Sequence, residues 1–326
     1  MQNKVNNKGT KGVALIIVMG LVSAIGAASI VIFAYINQYI LSASYSRLSD
    51  QSYEYLYAAE YVGVTNARNI LRNYREYLVI ENLNSQQIQF PIKGGLVKGN
   101  IVETPSCFNL NSLVDLNSDN LFVANNNNMR IFENLLVELK IGKTESKRLT
   151  AALTDWQDTD QQKLMYGAEY LDYNFKDYTN SNFIIFSILE LRNILGFSES
   201  LIDALENYVC LDRDSLHSKI NLSNINLDDK ILIKSFLAPY LNDEEILQII
   251  NSRPYDGYTH SRDFWKHPVF FSKKIPDEIK SNFINYPSRF KINVEIIFNG
   301  ITKSLESNVV FKPDGSHTIL SRKLGG

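Results

Sequence analysis

No charged residue occurs between Lys11 and Arg47, and within that gap VALIIVMGLVSAIGAASIVIFAYI runs from Val13 to Ile36. A helix of that length extends about 36 Å, enough to cross the hydrocarbon core of a bilayer. No other feature limits folding so strongly, because a segment in lipid must satisfy its backbone internally and is therefore helical. Lys4, Lys8 and Lys11 precede the span, and flanking cations of this kind stay on the cytoplasmic side. Everything after Ile36 is expected outside the cytoplasm.

Three readings fit such an N-terminus. A secretory signal peptide has a shorter apolar region followed by a small-x-small cleavage site. Here the run is long and passes straight into a helical pattern. A plain signal anchor is the second reading. The third takes residues 1–12 as a basic leader ending in Gly12, with cleavage before Val13 leaving an intact apolar helix. The junction KG|VALI resembles a type IV prepilin leader.

The helical pattern continues beyond the span. Leu48, Tyr55, Leu56, Ala59, Val62, Ile70 and Leu71 keep helical spacing, and no proline occurs before Pro91. This predicts one helix from Val13 to about Leu78, roughly 100 Å long. Gly20, Gly26 and Gly63 are its weak points. Tyr53, Tyr55, Tyr57 and Tyr61 form a cluster suited to packing against a sheet or to recognition. LVKGNIVETPS (96–106) reads as a strand. From Phe108 to Pro276 the pattern is mostly helical, in IFENLLVELKIG, SKRLTAALTDW, FSILELRNILG, ESLIDALENYV, DDKILIKSFLAPYL and DEEILQIINSRP. Gly142 and Gly196 stand where helix C-caps are expected, and Asp243 where a helix starts. RFKINVEIIF (289–298), ITKSLESNVVF (301–311) and HTILSRKL (317–324) read as strands joined by Asn299-Gly300 and Asp314-Gly315, both hairpin signals. The fold class is α+β: a long N-terminal helix and a β-meander bracket a helical insertion. No internal repeat is evident.

The chain has 326 residues, 45% hydrophobic and 21% charged, with 33 basic and 35 acidic side chains. That balance excludes a globally basic nucleic-acid binder. KINLSNINLDDKILIKSFLAPYLNDEEILQIINSRP is similar to a helix-hairpin-helix DNA-binding pair, but the link Ala-Pro-Tyr-Leu-Asn-Asp puts acids where phosphates would sit. Packing is the expected role, with Arg253 as an ion-pair partner. His217, His260, His267 and His317 are scattered, and G-x-S-x-G, H-E-x-x-H and G-x-x-x-x-G-K-[ST] are all missing. A secreted or anchored hydrolase therefore has no visible nucleophile or base, and no catalytic residue is assigned.

Two constellations remain open on spacing alone. Asp155, Asp158 and Asp160 fall close together, with Glu169 and Asp172 after a short loop. Such dense hard-oxygen ligands suit calcium, while a solvated acidic loop capping a helix is the alternative. Cys107 and Cys210 are a disulfide candidate in an oxidising compartment, with two buried thiols as the alternative.

Three stretches, taken with the leader, carry a resemblance across nearly the whole chain: CFNLNSL (107–113), LTDWQDTDQQKLMYGAEYLDYN (153–174) and KINLSNIN (219–226) followed by SRPYDGYTHSRDFW (252–265). In this order they resemble the minor pseudopilin K of bacterial type II secretion systems. The family pattern has an acid directly after G-A-E, where this chain has Tyr170. The resemblance implies a leader at 1–12, a long helix at 13–80 with 13–36 transmembrane, a pseudopilin sheet at 81–106 and 286–326, and an inserted helical domain at 107–285. It implies a single-pass inner-membrane protein with a periplasmic C-terminal domain, processed at Gly12 and Val13 by prepilin peptidase. It also implies structural calcium on the acidic run and assembly at the pseudopilus tip. The partners would be two smaller minor pseudopilins and, through them, the major pseudopilin, with no nucleic acid. Counting Val13 as first, the fifth mature residue is Ile17, where most pilin-like subunits carry the Glu that pairs with a neighbour's amine. A subunit without that carboxylate is best tolerated at the tip. A minor pilin of a type IV pilus or DNA-uptake system is the alternative.

Overall fold

The computed structural model describes residues 9–74, 88–173, 178–312 and 314–325. Most of the expected leader, and residues 75–87 between the long helix and the sheet, lie outside the described residues.

Helix α1 spans Gly9–Arg72. Its first half, from Val13 to Tyr45, exposes every large apolar side chain, and it is long and apolar enough to cross a membrane. Its second half buries one stripe. Ser52, Leu56, Glu60, Val64 and Ala67 recur at intervals of four and three residues and are at most 4% exposed, which is the spacing of a single helix face.

That stripe rests on a five-stranded antiparallel meander. Its strands are β1 (Ile88–Ile92), β2 (Gly95–Glu103), β3 (Arg289–Phe298), β4 (Ile301–Phe311) and β5 (His317–Gly325), and they neighbour one another in chain order. Phe290, Ile292, Val294, Ile296 and Phe298 alternate toward α1 and form one core with Leu56, Val64, Ala67 and Val97. The Asn-Gly hairpin is as expected, with φ of 46° at Asn299 and 83° at Gly300, the doubly positive pair that a two-residue hairpin requires. The sequence reading missed β1, which joins β2 through Lys93-Gly94, with Gly94 at φ 90°. Pro91 obscured that strand, although an edge strand tolerates proline. Gly63 marks close contact: a Cβ there would stand 2.6 Å from Cγ2 of Ile292.

The chain leaves the sheet after β2 and returns at β3, two strands that pair directly with each other. Everything between is a second body with its own core of side chains from Phe108 to Phe283. Its main helices are α2 (Asn126–Glu138), α3 (Lys143–Gln157), α4 (Glu199–Leu205), α5 (Lys230–Leu237) and α6 (Asp243–Asn251). FSILELRNILG forms only a 3-10 turn over Ile188–Asn193. Gly142 is the N-cap of α3 and not the C-cap of α2. Lys140 supplies the left-handed residue there, at φ 69°, and the N–H groups of Ile141 and Lys140 reach back to the carbonyls of Leu136 and Val137. The N-cap of α6 is Asn242, one residue before the expected Asp243, and it forms a capping box with Glu245.

CFNLNSL and KINLSNIN use one device twice. Each is a two-residue strand followed by a 3-10 turn, capped by Asn109 and Asn221 respectively. Arg253 donates to the carbonyl oxygen of Ser223 at 2.6 Å, so among the described residues its packing role runs through the backbone and not through an ion pair. The two bodies meet through polar contacts. The Asn221 amide donates to Tyr74 Oη and Glu103 Oε1, each at 2.7 Å, and Asp214 accepts from Thr318.

Candidate metal centre

Helix α3 ends in Thr-Asp-Trp-Gln, and all four residues are buried. Trp156 turns edge-on to Tyr173 and Tyr178. That packing fixes the helix end and sets Asp155 and Asp158 beside it. Asp158 is the C-cap, its N–H bonded to the Thr154 carbonyl at 2.9 Å. The following loop folds back over Asp155. The Leu164 N–H donates to both Asp155 carboxylate oxygens at 3.2 Å. Gly167 passes so close that a Cβ there would stand 1.9 Å from Asp155 Oδ2, so only glycine closes this loop. The loop then delivers Glu169, whose Oε2 accepts from the Asn180 amide at 2.6 Å.

Asp155, Asp158 and Glu169 thus bring carboxylate oxygens within 4.8 Å of one another. All three residues are buried, at 0%, 2% and 5% exposure. Burial pushes the Asp155 carboxyl up to about 7, with the Glu169 charge adding to it and the Leu164 N–H opposing. Burial and the neighbouring acids push Asp158 up to about 8. Glu169 is raised as well, again chiefly by burial. Among the described residues, Asp158 Oδ1 and Glu169 Oε1 have no hydrogen-bond partner. Orphaned buried carboxylate oxygens converging on one point fit a hard cation of calcium type, which takes oxygen ligands in flexible geometry.

The other two expected ligands stand apart from this trio. Asp160 is exposed and accepts from the Gln162 N–H at 2.7 Å. Its charge nevertheless acts on Asp155, Asp158 and Glu169. Asp172 is turned toward Lys163 at 2.8 Å, which holds its carboxyl below the usual range, and its other oxygen accepts from the Glu169 N–H. It braces the loop from outside. Asn180, which the sequence reading did not single out, braces it from inside by also donating to the Asp155 carbonyl at 3.2 Å.

Cys107 and Cys210 are joined in a disulfide, with their Cα atoms 5.7 Å apart. It ties the start of the helical body to the segment after α4. Ile17 lies on the exposed apolar half of α1. Of the tyrosine cluster, Tyr53 lies under Lys303, Tyr55 packs on Phe298 and Tyr57 lies under Arg322. Tyr61 points outward, 74% exposed. The sequence reading missed one further site. Glu60, buried against the sheet, receives Arg322 through both carboxylate oxygens and also accepts from Ser307.

Comparison with known proteins agrees with this architecture. Residues 106–213 match the family described as type II secretion system protein K. An Escherichia coli K12 chain assigned to that protein is 23% identical over 314 residues, covering 94% of each chain. The Klebsiella pneumoniae type II secretion system protein K is 28% identical over 204 residues, 62% of each chain. The Aeromonas hydrophila protein K is 29% identical over 205 residues, 60% of this chain and 59% of that one. Among solved structures, the GspK-GspI-GspJ complex of the enterotoxigenic Escherichia coli type 2 secretion system superposes with a TM-score of 0.66. It does so at 18% identity, over 85% of this chain and 96% of that chain, which is a likeness of fold.

Proposed function

Because the chain belongs to the type II secretion system protein K family, we propose that it caps the tip of the pseudopilus and supports export of folded proteins across the outer membrane. The observation that carries this reading is the placement of the helical body. It is inserted between two adjacent strands of a sheet that rides on a long apolar helix. Pilin-like subunits stack through that helix, and a domain-sized bulge is accommodated where no subunit sits above. Ile17 supports the same position, since a subunit without a carboxylate there offers no partner to a neighbour's buried amine.

In this reading α1 anchors the chain in the inner membrane once, with both globular bodies in the periplasm. Prepilin peptidase cuts between Gly12 and Val13. Two smaller minor pseudopilins bind alongside, a reading supported by the GspK-GspI-GspJ complex of the solved neighbour, and through them the chain connects to the major pseudopilin. The role is structural rather than catalytic. Asp155, Asp158 and Glu169 hold a calcium ion that locks the loop onto the end of α3, with Asp160 adding negative charge nearby.

The experiment is a mass measurement of the N-terminus together with co-purification of the two smaller subunits. Wild-type chain should begin at Val13 and carry both partners, and Gly12→Asp should leave the leader attached and abolish export of a secreted enzyme. A wild-type N-terminus still at Met1, or beyond Ile36, contradicts the proposal.

A further inference from the structure

The helical body and the sheet enclose a cleft of about 490 Å³ on the sheet face opposite α1. Phe290 and Ile292 point into the core beneath α1, so their neighbours Arg289 and Lys291 point the other way, onto the cleft floor. Lys291 reaches Glu306 at 3.3 Å. Arg289 is withdrawn from water, which pushes its pKa down, and Asp212 is the opposing charge it faces. Among the described residues no hydrogen bond holds its guanidinium. Arg213 spans the mouth, its guanidinium 5.5 Å from the Phe186 ring centre and its Nη2 donating to the Leu320 carbonyl at 3.0 Å. That carbonyl is available because Leu320 is bulged out of the ladder between β4 and β5. The lining carries three cations, Arg213, Arg289 and Lys291, against the Glu206 carboxylate, with Asp212 and Glu306, outside the lining, offsetting part of the charge of Arg289 and Lys291.

Beside the mouth is an apolar shelf. Phe183 and Phe186 stack with ring centres 5.8 Å apart and planes 3° apart, yet are 46% and 53% exposed. Leu189 next to them is 55% exposed. Stacked aromatics left in water beside Arg213, over a floor where the Arg289 guanidinium has no hydrogen bond among the described residues, form an amphipathic surface: apolar rim, cation-bearing floor.

We propose that this interdomain cleft binds an extended acidic segment of another polypeptide, with a carboxylate on Arg289 and Lys291 and an apolar side chain on the Phe183–Phe186 shelf. The cleft shares no residue with the carboxylate trio, and the inference does not depend on the metal. The test uses the full chain in lipid nanodiscs. The probe is a fluorescent peptide of alternating glutamate and phenylalanine, with a lysine–phenylalanine peptide as its charge-reversed control. The acidic probe should saturate, and the control should bind at least about tenfold more weakly. Arg289→Gln should lose about tenfold in affinity, the size of one charge-assisted hydrogen bond. Arg213→Gln and Phe186→Ser, at the exposed rim, carry the same test if Arg289→Gln fails to fold, which thermal unfolding reports. Absence of saturable binding, equal binding of the two peptides, or unchanged affinity in the folded variants overturns the proposal.

Discussion

The two bodies of this chain hold together in different ways. The sheet body is nearly all regular: five strands in chain order, one helix across them, and apolar side chains at alternate strand positions facing one helical stripe. Ladder and helix satisfy the backbone there, and Glu60 is its main polar guest. The helical body has short elements and irregular connections, so side chains must satisfy its backbone. Buried Asn111 shows this: its amide donates to the carbonyls of Ile185 and Asp212, and its Oδ1 accepts from the Ile185 N–H. Asn109 likewise accepts from the N–H groups of Asn111 and Asp212 and donates to the Ser215 carbonyl. The difference teaches that the sheet body is specified by pattern and the helical body by particular polar residues and cross-links.

The largest expected effect that separates the bodies is loss of the disulfide. Cys107 and Cys210 are separated by 103 positions, and a loop of that length contributes about 4–5 kcal/mol in the chain-entropy picture. Cys107→Ser with Cys210→Ser should lower the unfolding free energy of the helical body, read from urea titration, by that amount while hydrogen exchange in β3 and β4 stays slow. Equal loss of protection in both bodies would merge them into one cooperative unit.

Calcium should come next, and its effect should depend on pH. Without metal the folded chain holds protons on Asp155 and Asp158, at about 7 and about 8 against an ordinary 3.8. Between pH about 4 and about 8 the folded state therefore binds more protons than the unfolded one, so the metal-free form loses stability as pH rises through that window. Calcium bound at the trio would replace those protons. At pH 8 and a hundred times its Kd it should add about 3 kcal/mol and raise the midpoint by several degrees, with a much smaller gain at pH 5. A calcium shift that is equal at both pH values, or that survives Asp158→Asn with Glu169→Gln, breaks this account of the site.

Two smaller effects should fall on the sheet body alone. Arg322→Met strands the Glu60 carboxylate, which is 4% exposed, at a cost of about 2–3 kcal/mol. Adding Glu60→Gln should recover part of that loss in denaturant unfolding. Gly63→Leu overpacks the contact with Ile292 and should cost about 1–2 kcal/mol, read as lower exchange protection in β3 with the calcium response unchanged.

What the sequence disclosed follows the same division. Four strands of the sheet, the two C-terminal hairpins and the long helix were legible because period and turn residues are local signals. The first strand was hidden by Pro91 and a short turn. In the helical body the acidic run was visible, but which carboxylates converge was not. Asp155, Asp158 and Glu169 meet because Gly167 lets the loop close, while Asp172 is drawn off by Lys163. Asn180 and the Glu60–Arg322 pair join residues far apart in the chain, so no spacing could announce them. FSILELRNILG carried helical spacing yet forms a 3-10 turn over Ile188–Asn193, opened by a capping box of Ser187 and Glu190. Gly196 follows at φ 99°, against the Arg148 guanidinium.

Whether the helical body confines the chain to a fibre end is tested most directly by imaging. Pseudopili would be sheared from cells whose chain carries a single gold-binding label on the helical body, and label positions counted by electron microscopy. One label at one end of each fibre is the predicted result, and labels at regular intervals along the shaft would contradict it.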